Sequence, residues 1–256
     1  MRVETAVLPI LWCDDHLVAI HKPAGWLVHR TGLDAHETRF VVQTLRDQLG
    51  QHVYPVHRLD KGTSGVLLMA LTPDVARALV SQFESRAVGK RYLAMVRGWA
   101  PPVLTVDHAL RPDDAPQDTL PQPAVTSFRR LATLQLDVPV DRYPTTRASL
   151  IEASPETGRR HQIRRHCKHI AHPIIGDATH GKGPVNRWWA TYLGQQRLWL
   201  HACDLTLTHP ITGRTLHLHS PIPGFEGASA TPSEPLNEDW RAVLAAHPWQ
   251  WDARAA

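Results

Sequence analysis

The residues best suited to chemistry lie in the segment HRLDKGTSG at 57–65. This segment places the carboxylate of Asp60 between two cations, Arg58 and Lys61, just before an apolar run that predicts a buried strand at 66–71. Neighbouring cations favour the ionised form of a carboxyl group, and the two glycines of the segment permit a tight turn. An ionised, accessible carboxylate can attack an electron-poor carbon or stabilise a cationic sugar. A turn or capping aspartate is the commoner role for such a residue and remains the alternative.

A second cluster, TGRRHQIRRHCKHI at 157–170, is rich in basic side chains and contains no acid from its first arginine onward. Its pattern predicts a helix over 158–170, with Arg160, Arg164 and Lys168 on one face. Like charges at this spacing repel each other, so an acidic partner is expected opposite them, either phosphates or a buried carboxylate. Contact with a nucleic acid is the favoured interpretation, and a solvated basic face is the alternative.

Other chemistries fit the sequence less well. The order His-Arg-Leu-Asp differs from that of a kinase catalytic loop, and no glycine-rich loop precedes it. A glycosidase would need a second, protonated carboxyl group. Cys167 falls on the apolar stripe of the predicted helix, which favours packing over nucleophilic catalysis. A metal site is disfavoured because its candidate ligands have cationic neighbours and match no zinc spacing. These ligands are His161, His166, His169, His172 and His180.

The whole chain sets broad limits. Its 256 residues allow one large domain or two small ones, and a formal charge of +4 permits a nucleic-acid partner without requiring one. Its three cysteines form no CxxC motif, which argues against a disulfide framework. The N-terminal segment resembles neither a signal peptide nor a membrane span, so a soluble, intracellular protein is expected.

The predicted elements mix strands and helices without a regular alternation, which favours an α+β fold. Short strands and turns are expected before residue 30, helices over 38–50 and from Thr72 onward, a surface excursion at 101–123, and a hairpin at 197–221. Three further strands are predicted at 90–99, 124–136 and 146–155. A catalytic domain is expected over 1–223. Residues 224–256 are expected to form a loosely packed, partly irregular tail with a short helix near Trp240.

Six ordered motifs resemble those of the RluA-type pseudouridine synthases. They are HKPAG at 21–25, HRLDKGTSG at 57–65, KRYLAMVRG at 90–98, TGRRHQIRRH at 157–166, HPIIGD at 172–177 and RLWLHA at 197–202. Within this family, three segments look most like the branch that modifies the uridine at tRNA position 65, in the T stem. They are GWLVHR at 25–30, QPAVTSFRRLATL at 122–134 and RYPTTR at 142–147. The resemblance implies a mixed, mainly antiparallel sheet with flanking helices and a central catalytic cleft, and tRNA as the substrate.

The resemblance also implies roles for individual residues. Asp60 matches the catalytic aspartate, Tyr92 the tyrosine that stacks on the base, and Arg164 the arginine that pairs with the aspartate. Arg58 matches the arginine that displaces the target base, and Leu200 an apolar residue of the same pocket. The basic residues expected to hold RNA phosphates are Arg159, Arg160, Arg165 and Lys168. Further phosphate candidates, each also compatible with plain surface charge, are His29, Arg30 and Arg147.

Pseudouridine formation oxidises nothing and adds nothing from solution, so the resemblance implies neither a cofactor nor a metal. A cytoplasmic location is expected, with no membrane, no obligatory protein partner and no S4 RNA-binding domain. Three alternatives remain. The first is a synthase of the same family that acts on ribosomal RNA. The second is an RNA-binding protein that has lost catalysis, and the intact set of Asp60, Tyr92 and Arg164 argues against it. The third is a sugar- or nucleoside-cleaving hydrolase, which would need a second carboxylate.

Overall fold

The computed structural model describes residues 7–29, 39–113, 115–116, 118–223 and 236–253. The strands in this part of the chain are β1 (Ile10–Cys13), β2 (Leu17–Lys22), β3 (Tyr54–Pro55), β4 (Ser64–Ala70), β5 (Gly89–Arg97), β6 (Val103–Asp107), β7 (Val125–Leu136), β8 (Thr146–Pro155), β9 (Leu200–Thr208), β10 (Thr215–His219) and β11 (Gln250–Trp251). The helices are α1 (Val41–Leu49), α2 (Pro73–Glu84), α3 (Gln162–His169), α4 (Gly183–Leu193) and α5 (Glu238–Ala246). The mixture confirms the predicted α+β class. None of these helices combines the length and the apolar character that a membrane crossing requires.

The chain divides into two compact units. Unit 1 takes the described residues up to Gly89 and the segment Ala202–Ile222, whereas unit 2 takes Lys90–His201 and the described residues from Asn237 onward. The predicted boundary between residues 223 and 224 stays a prediction.

Unit 1 is built on an antiparallel sheet around β4. β2 pairs with β4 from Leu17 opposite Ala70 to Lys22 opposite Gly65, β1 pairs with β2, and β10 pairs with β9. All seven side chains of β4 are buried, which explains why its sequence is a continuous apolar run rather than an alternating one. This packing confirms the buried strand predicted after Asp60.

Helix α2 covers one face of this sheet, and its sequence explains where it begins. The Thr72 hydroxyl accepts a hydrogen bond from the backbone N–H of Val75, and Pro73 occupies the first turn, where its missing N–H costs nothing. Val75 and Leu79 are buried in a core with strand residues of unit 1, and Phe83 packs against that core. The predicted cap, proline and apolar face of α2 are therefore confirmed.

Unit 2 contains a second antiparallel arrangement in the order β5, β8, β7 and β11, with β6 on β7. The short strand β6 lies in the proline-rich segment 101–123 that the sequence marks as an excursion. Helix α3 packs on this sheet through Ile163 and Cys167, which share a core with Ala94 and Phe128. The sheet of unit 2 thus supports the helix that carries Arg164.

The C-terminal segment at 237–253 is packed into unit 2, which differs from the loose packing expected there, whereas residues 224–235 of the predicted tail lie outside the described residues. The predicted short helix is confirmed by α5, whose Trp240 is fully buried and meets the ring of Trp199 edge-on at 5.0 Å between centroids. Asp239 forms an ion pair with Arg197, and β11 adds to the edge of β7. Burial of a large aromatic side chain outweighs the alanine- and proline-rich composition that suggested loose packing.

Candidate active site

Asp60 lies in the loop between β3 and β4, and this loop is held by contacts within unit 1. The carbonyl oxygen of Asp60 accepts the N–H of Thr63 at 3.0 Å, which closes a tight turn. His57 accepts the N–H of Leu68 at 2.9 Å through Nε2, and its ring stacks on Phe83 at 4.7 Å between centroids. Asp60 itself is half-buried. A short, anchored loop with a partly exposed carboxylate suits a group that must meet a substrate in one geometry.

A buried lysine also holds this loop, and it is not among the predicted site residues. Lys22 is 0% exposed, and its ammonium group donates to the carbonyl oxygens of Pro23, Trp26 and Lys61 at 3.0, 2.8 and 3.1 Å. Gly25 also donates its N–H to the Lys61 carbonyl, at 2.8 Å. These contacts tie the HKPAG turn to the residue that follows Asp60. A lysine inside an apolar strand was the available signal, because charged side chains are rarely buried without partners.

Gly65, at the start of β4, permits close approach of the neighbouring chain. Its φ is +115°, and a Cβ there would lie 2.1 Å from the carbonyl oxygen of Ala202. No other residue type fits this position, which explains the second glycine of the HRLDKGTSG segment. Arg58, on the other side of Asp60, is exposed. The loop is therefore closely packed at Gly65, and at Arg58 it exposes a cationic side chain to solvent.

In unit 2 the structure brings together two of the predicted pocket residues. Tyr92, near the start of β5, is half-buried and packs against the core that contains Leu200. Ile163 and Cys167 of α3 belong to the same core. Tyr92 and the buried Leu200 therefore belong to one apolar cluster, in which Tyr92 is the partly exposed member.

Arg164 is buried and paired with a carboxylate. Its Nε and Nη2 atoms donate to the two carboxylate oxygens of Asp177 at 2.7 and 2.8 Å, a bidentate arrangement. Burial opposes ionisation of Asp177, but the Arg164 guanidinium and the N–H groups of Thr179 and His180 outweigh it, so the pKa of this carboxyl lies below its ordinary value. The basic pattern of this segment predicts a buried carboxylate or phosphates opposite it, and Asp177 confirms the carboxylate. The predicted pairing of Arg164 with Asp60 involves residues of different units and stays a prediction.

The basic helix begins later than predicted. α3 starts at Gln162, after His161 with φ of +54°, so the prediction that Arg160 shares a helical face with Arg164 and Lys168 is wrong. The reason lies in the side chain of Gln162. Its oxygen accepts the Thr157 hydroxyl at 2.6 Å and the N–H of Arg159 at 3.0 Å, which fixes the preceding residues as a turn. These are contacts that helical periodicity does not report.

The basic residues predicted to bind phosphate have different environments. Arg159 donates to the Pro123 carbonyl at 3.2 Å, and Lys168 is exposed. Arg165 and Arg160 face the same acid, Asp113, at 3.3 and 3.7 Å. Of the further candidates, His29 and Arg147 are exposed, and Arg30 lies outside the described residues. Their predicted contacts with RNA stay predictions.

The histidines around α3 are engaged in structural contacts. His166 is 0% exposed, and its ring nitrogens contact the Thr126 hydroxyl at 2.9 Å and the His108 carbonyl at 3.0 Å. Burial lowers the pKa of His166 despite the hydrogen bond to that carbonyl. Among the described residues, no group of three or more His, Cys, Asp or Glu side chains could hold a metal ion. Burial raises the pKa of the Cys167 thiol well above its ordinary value, so Cys167 is a packing residue.

Comparison with known proteins identifies the family. The family model described as RNA pseudouridylate synthase matches residues 16–169. A protein of Yersinia pestis named tRNA pseudouridine synthase C is 52% identical over 219 residues, covering 83% of this chain and 85% of its own length. A protein of Salmonella typhi with the same name is 47% identical over 251 residues, covering 95% of this chain and 91% of its own length.

A solved structure, Human RNA Pseudouridylate Synthase Domain Containing 1, superposes with a TM-score of 0.68 and 24% identity. It covers 97% of this chain and 99% of the human chain, and it supports the fold alone. The chain belongs to the RNA pseudouridylate synthase family. The resemblance of its six motifs to this family is thereby confirmed, and so is the predicted class of enzyme. The roles of individual site residues stay predictions.

Proposed function

We propose that the protein converts a uridine of tRNA to pseudouridine, that the target is position 65 in the T stem, and that Asp60 is the catalytic carboxylate. The observation that carries the proposal is the identity of 52% and 47%, over most of the chain, to relatives named tRNA pseudouridine synthase C. The matched family region contains Asp60, Tyr92 and Arg164.

The reaction breaks the bond between the ribose and nitrogen 1 of uracil, turns the base, and joins the ribose to carbon 5. Carbon 5 then loses a proton, and nitrogen 1 carries one in the product, so atoms balance within the RNA. One ionised carboxylate is sufficient chemistry for this sequence. Asp60 would attack the sugar, attack the ring, or remove a sugar proton, and Tyr92 would stack on the base and accept the proton from carbon 5.

The environments of these side chains support the roles. The Asp60 loop is anchored by Lys22 and His57, so its carboxylate needs little reorganisation to meet a substrate. Tyr92 lies on an apolar surface with Leu200, which suits contact with the face of a uracil. Arg164 is already ordered by its bidentate contact with Asp177.

A uridine within a stem is inaccessible until it leaves the base stack. Eversion costs a few kcal/mol, and a cationic side chain that enters the vacated position would offset part of that cost. Arg58 is exposed and two residues from Asp60 in sequence, which supports this role. The basic residues at 159–168 would bind RNA phosphates and so hold the substrate.

The test compares two variants that each exchange one carboxylate for an amide. Asp60→Asn should reduce uridine isomerisation in tRNA below detection while leaving the Kd for tRNA within about 3-fold of wild type. Asp74→Asn is the matched control, because Asp74 is an exposed residue of α2 paired with Arg77. Full activity in Asp60→Asn would refute the role of the carboxylate.

The target is tested separately, by mapping pseudouridine in total RNA from cells with and without the gene. Loss of pseudouridine at tRNA position 65 alone is the expected result. Loss at another tRNA position would refute the proposed site, and loss in ribosomal RNA alone would refute the proposed substrate.

A further inference from the structure

Unit 2 contains a cavity of about 310 Å³ that the proposed chemistry does not use. Its lining includes Arg97, Trp99, Tyr143, Arg147, His172 and Trp189, and we call it the Tyr143 pocket. The volume is at the lower end of the range for small-ligand sites, about 300–1,000 Å³. Arg97 is the last residue of β5, and Tyr92 lies near the start of that strand. At the rise per residue of a β-strand, their Cα atoms are about 16 Å apart. The pocket is therefore distinct from the predicted base-binding surface.

The charge around the pocket is mainly positive. Among the described residues, no carboxylate lies within ion-pair distance of Arg97, Arg142 or Arg147, although most other arginines of unit 2 have such a partner. The nearest acid in the sequence, Asp141, is paired with Lys182. Two guanidinium groups that line one cavity, those of Arg97 and Arg147, without a carboxylate partner favour an anionic occupant.

The guanidinium groups are stacked on aromatic rings. Arg147 lies over the ring of Trp99 at 4.1 Å, and Arg97 and Arg142 each lie 5.3 Å from the centroid of Tyr143. Both of these arginines also donate to the Tyr143 hydroxyl, at 3.3 and 3.2 Å, and their charge lowers the pKa of that phenol. Alternating aromatic and guanidinium planes are the surfaces on which unpaired bases stack in RNA complexes.

The interior of the pocket supplies an apolar wall. Trp189 of α4, which is 1% exposed, forms part of this wall. His172 donates from Nδ1 to the Arg97 carbonyl at 2.8 Å, which fixes the orientation of its ring in the wall. A base joined to a phosphate matches this combination of an apolar wall and a cationic rim better than a purely apolar or a purely anionic ligand.

We propose that the Tyr143 pocket binds an unpaired nucleotide of the RNA substrate, with its base against Trp99 and Tyr143 and its phosphate on the surrounding guanidinium groups. The assignment rests on the proposed function, because that function supplies the RNA. A single structured RNA extends far enough to occupy both this pocket and the surface around Tyr92. The pocket would then select substrates by the position of an unpaired nucleotide relative to the target uridine.

Two variants separate the contributions of base and phosphate. Trp99→Leu should raise the Kd for tRNA about 10-fold with an unchanged dependence on salt, because it removes stacking. Arg147→Ala should raise the Kd about 5-fold and reduce the slope of log Kd against log salt by about 1, because it removes a phosphate contact. Both side chains are partly or largely exposed, so folding should be retained, and a urea titration checks this.

Arg214→Ala is the matched control, since Arg214 is an exposed arginine without an ion pair in the described residues. Affinity and salt slope equal to wild type in Arg147→Ala would overturn the proposal. Tight binding of free UMP that does not compete with tRNA would also overturn it, because the pocket would then serve a small molecule.

The binding assay separates this proposal from the proposed function. Wild-type protein that binds tRNA without isomerising it, together with weaker binding by the two variants, would support the pocket and refute the function. Isomerisation with undiminished binding by the variants would refute the pocket alone. Wild-type protein that does not bind tRNA would refute both.

Discussion

Replacing Asp177 with asparagine should destabilise unit 2 by about 3 kcal/mol. The Asp177 side chain is 0% exposed and that of Arg164 is 9% exposed, and two hydrogen bonds of 2.7 and 2.8 Å join them. Removing one partner of a buried ion pair typically costs about 3–5 kcal/mol, because the other charge stays buried. Asparagine keeps the size and one oxygen, which can still accept from the backbone, so the lower end of this range applies.

The assay is urea unfolding followed by tryptophan fluorescence. Trp189, Trp199 and Trp240 are buried in unit 2, so they report on the unit that contains the substitution. With a denaturant slope of about 3 kcal/mol per M, the loss corresponds to a midpoint lower by about 1 M urea. Glu238→Gln is the matched control, because it removes a carboxylate from an exposed ion pair with Arg241 and should change stability by less than about 1 kcal/mol.

Acid pH provides an independent test of the same pair. In the folded state the pKa of Asp177 lies below its ordinary value of about 3.9. The ionised carboxylate therefore makes its full contribution to the free energy of unfolding above that value, and this contribution is lost as pH falls through the folded pKa. The gap between wild type and Asp177→Asn should therefore be full at pH 6 and narrow below pH about 4. At pH 6, a urea midpoint of Asp177→Asn within about 0.2 M of wild type would refute the stabilising role of the Asp177–Arg164 pair. On the same slope, this threshold corresponds to roughly 0.6 kcal/mol. A gap that stays constant to pH about 3 would refute the electrostatic explanation.

The remaining predictions concern RNA contact, the core and the thiols. Arg165→Ala should raise the Kd for RNA and reduce its salt slope by about 1, and an unchanged slope would mean that no phosphate is contacted. Arg58→Ala should slow turnover on a duplex substrate more than on a loop substrate, and equal losses would reject a role in displacing the base. Gly65→Ala should prevent folding of unit 1, because its Cβ would lie 2.1 Å from a backbone oxygen of β9, whereas Gly158→Ala meets nothing within 4 Å and should give folded protein by circular dichroism. In native protein, a thiol reagent should modify one of the three cysteines, the exposed Cys13. The reaction should be faster as pH rises, because the thiolate is the reactive form, and partial burial together with two neighbouring aspartates raises the pKa of this thiol. Modification of two or three thiols without denaturant would contradict the buried positions of the others.

Local signals in the sequence were sufficient for several elements. Thr72 and Pro73 mark the start of α2, and Gly50, with φ of +67°, ends α1 where the sequence indicated. Gly213, with φ of +68°, lies in the turn between β9 and β10. In each case the residue that determines the backbone conformation lies within the element or next to it, so a short window of sequence contains the physical cause.

Other elements depended on contacts distant in sequence. α4 was not predicted, and no side chain caps its first residue; Val185 and Trp189 stabilise it by burial. The late start of α3 depends on Gln162, which donates to the Val125 carbonyl at 2.9 Å across 37 positions of the chain. Periodicity alone extends a helix to the edge of the pattern, because it carries no information about such a contact.

The candidate site likewise combines features that local sequence indicates with contacts between residues distant in sequence. The neighbours of Asp60 in sequence indicated a charged, accessible carboxylate, but the anchoring of its loop by Lys22 involves a carbonyl 39 positions away. The acid opposite Arg164 was expected as a type of group and could not be named, because Asp177 reaches it through the turn in which Gly176 adopts φ of +79°. Residue types predicted the chemistry, and tertiary contacts determined which partners each charge has.

The basic charge near α3 is divided among three environments, and this division limits how much of it can bind RNA. Arg164 is directed inward to Asp177, and Lys168 faces solvent. Arg165 is held by Asp113 at 3.3 Å and by the Arg111 carbonyl at 2.6 Å, both in the excursion at 101–123. A phosphate that binds Arg165 must therefore replace an intramolecular carboxylate, so the gain is the difference between two ionic contacts rather than one full contact. The contacts from the excursion would therefore lower the affinity of this arginine for a phosphate, and a helix counted as basic from its sequence has fewer available charges than its composition indicates.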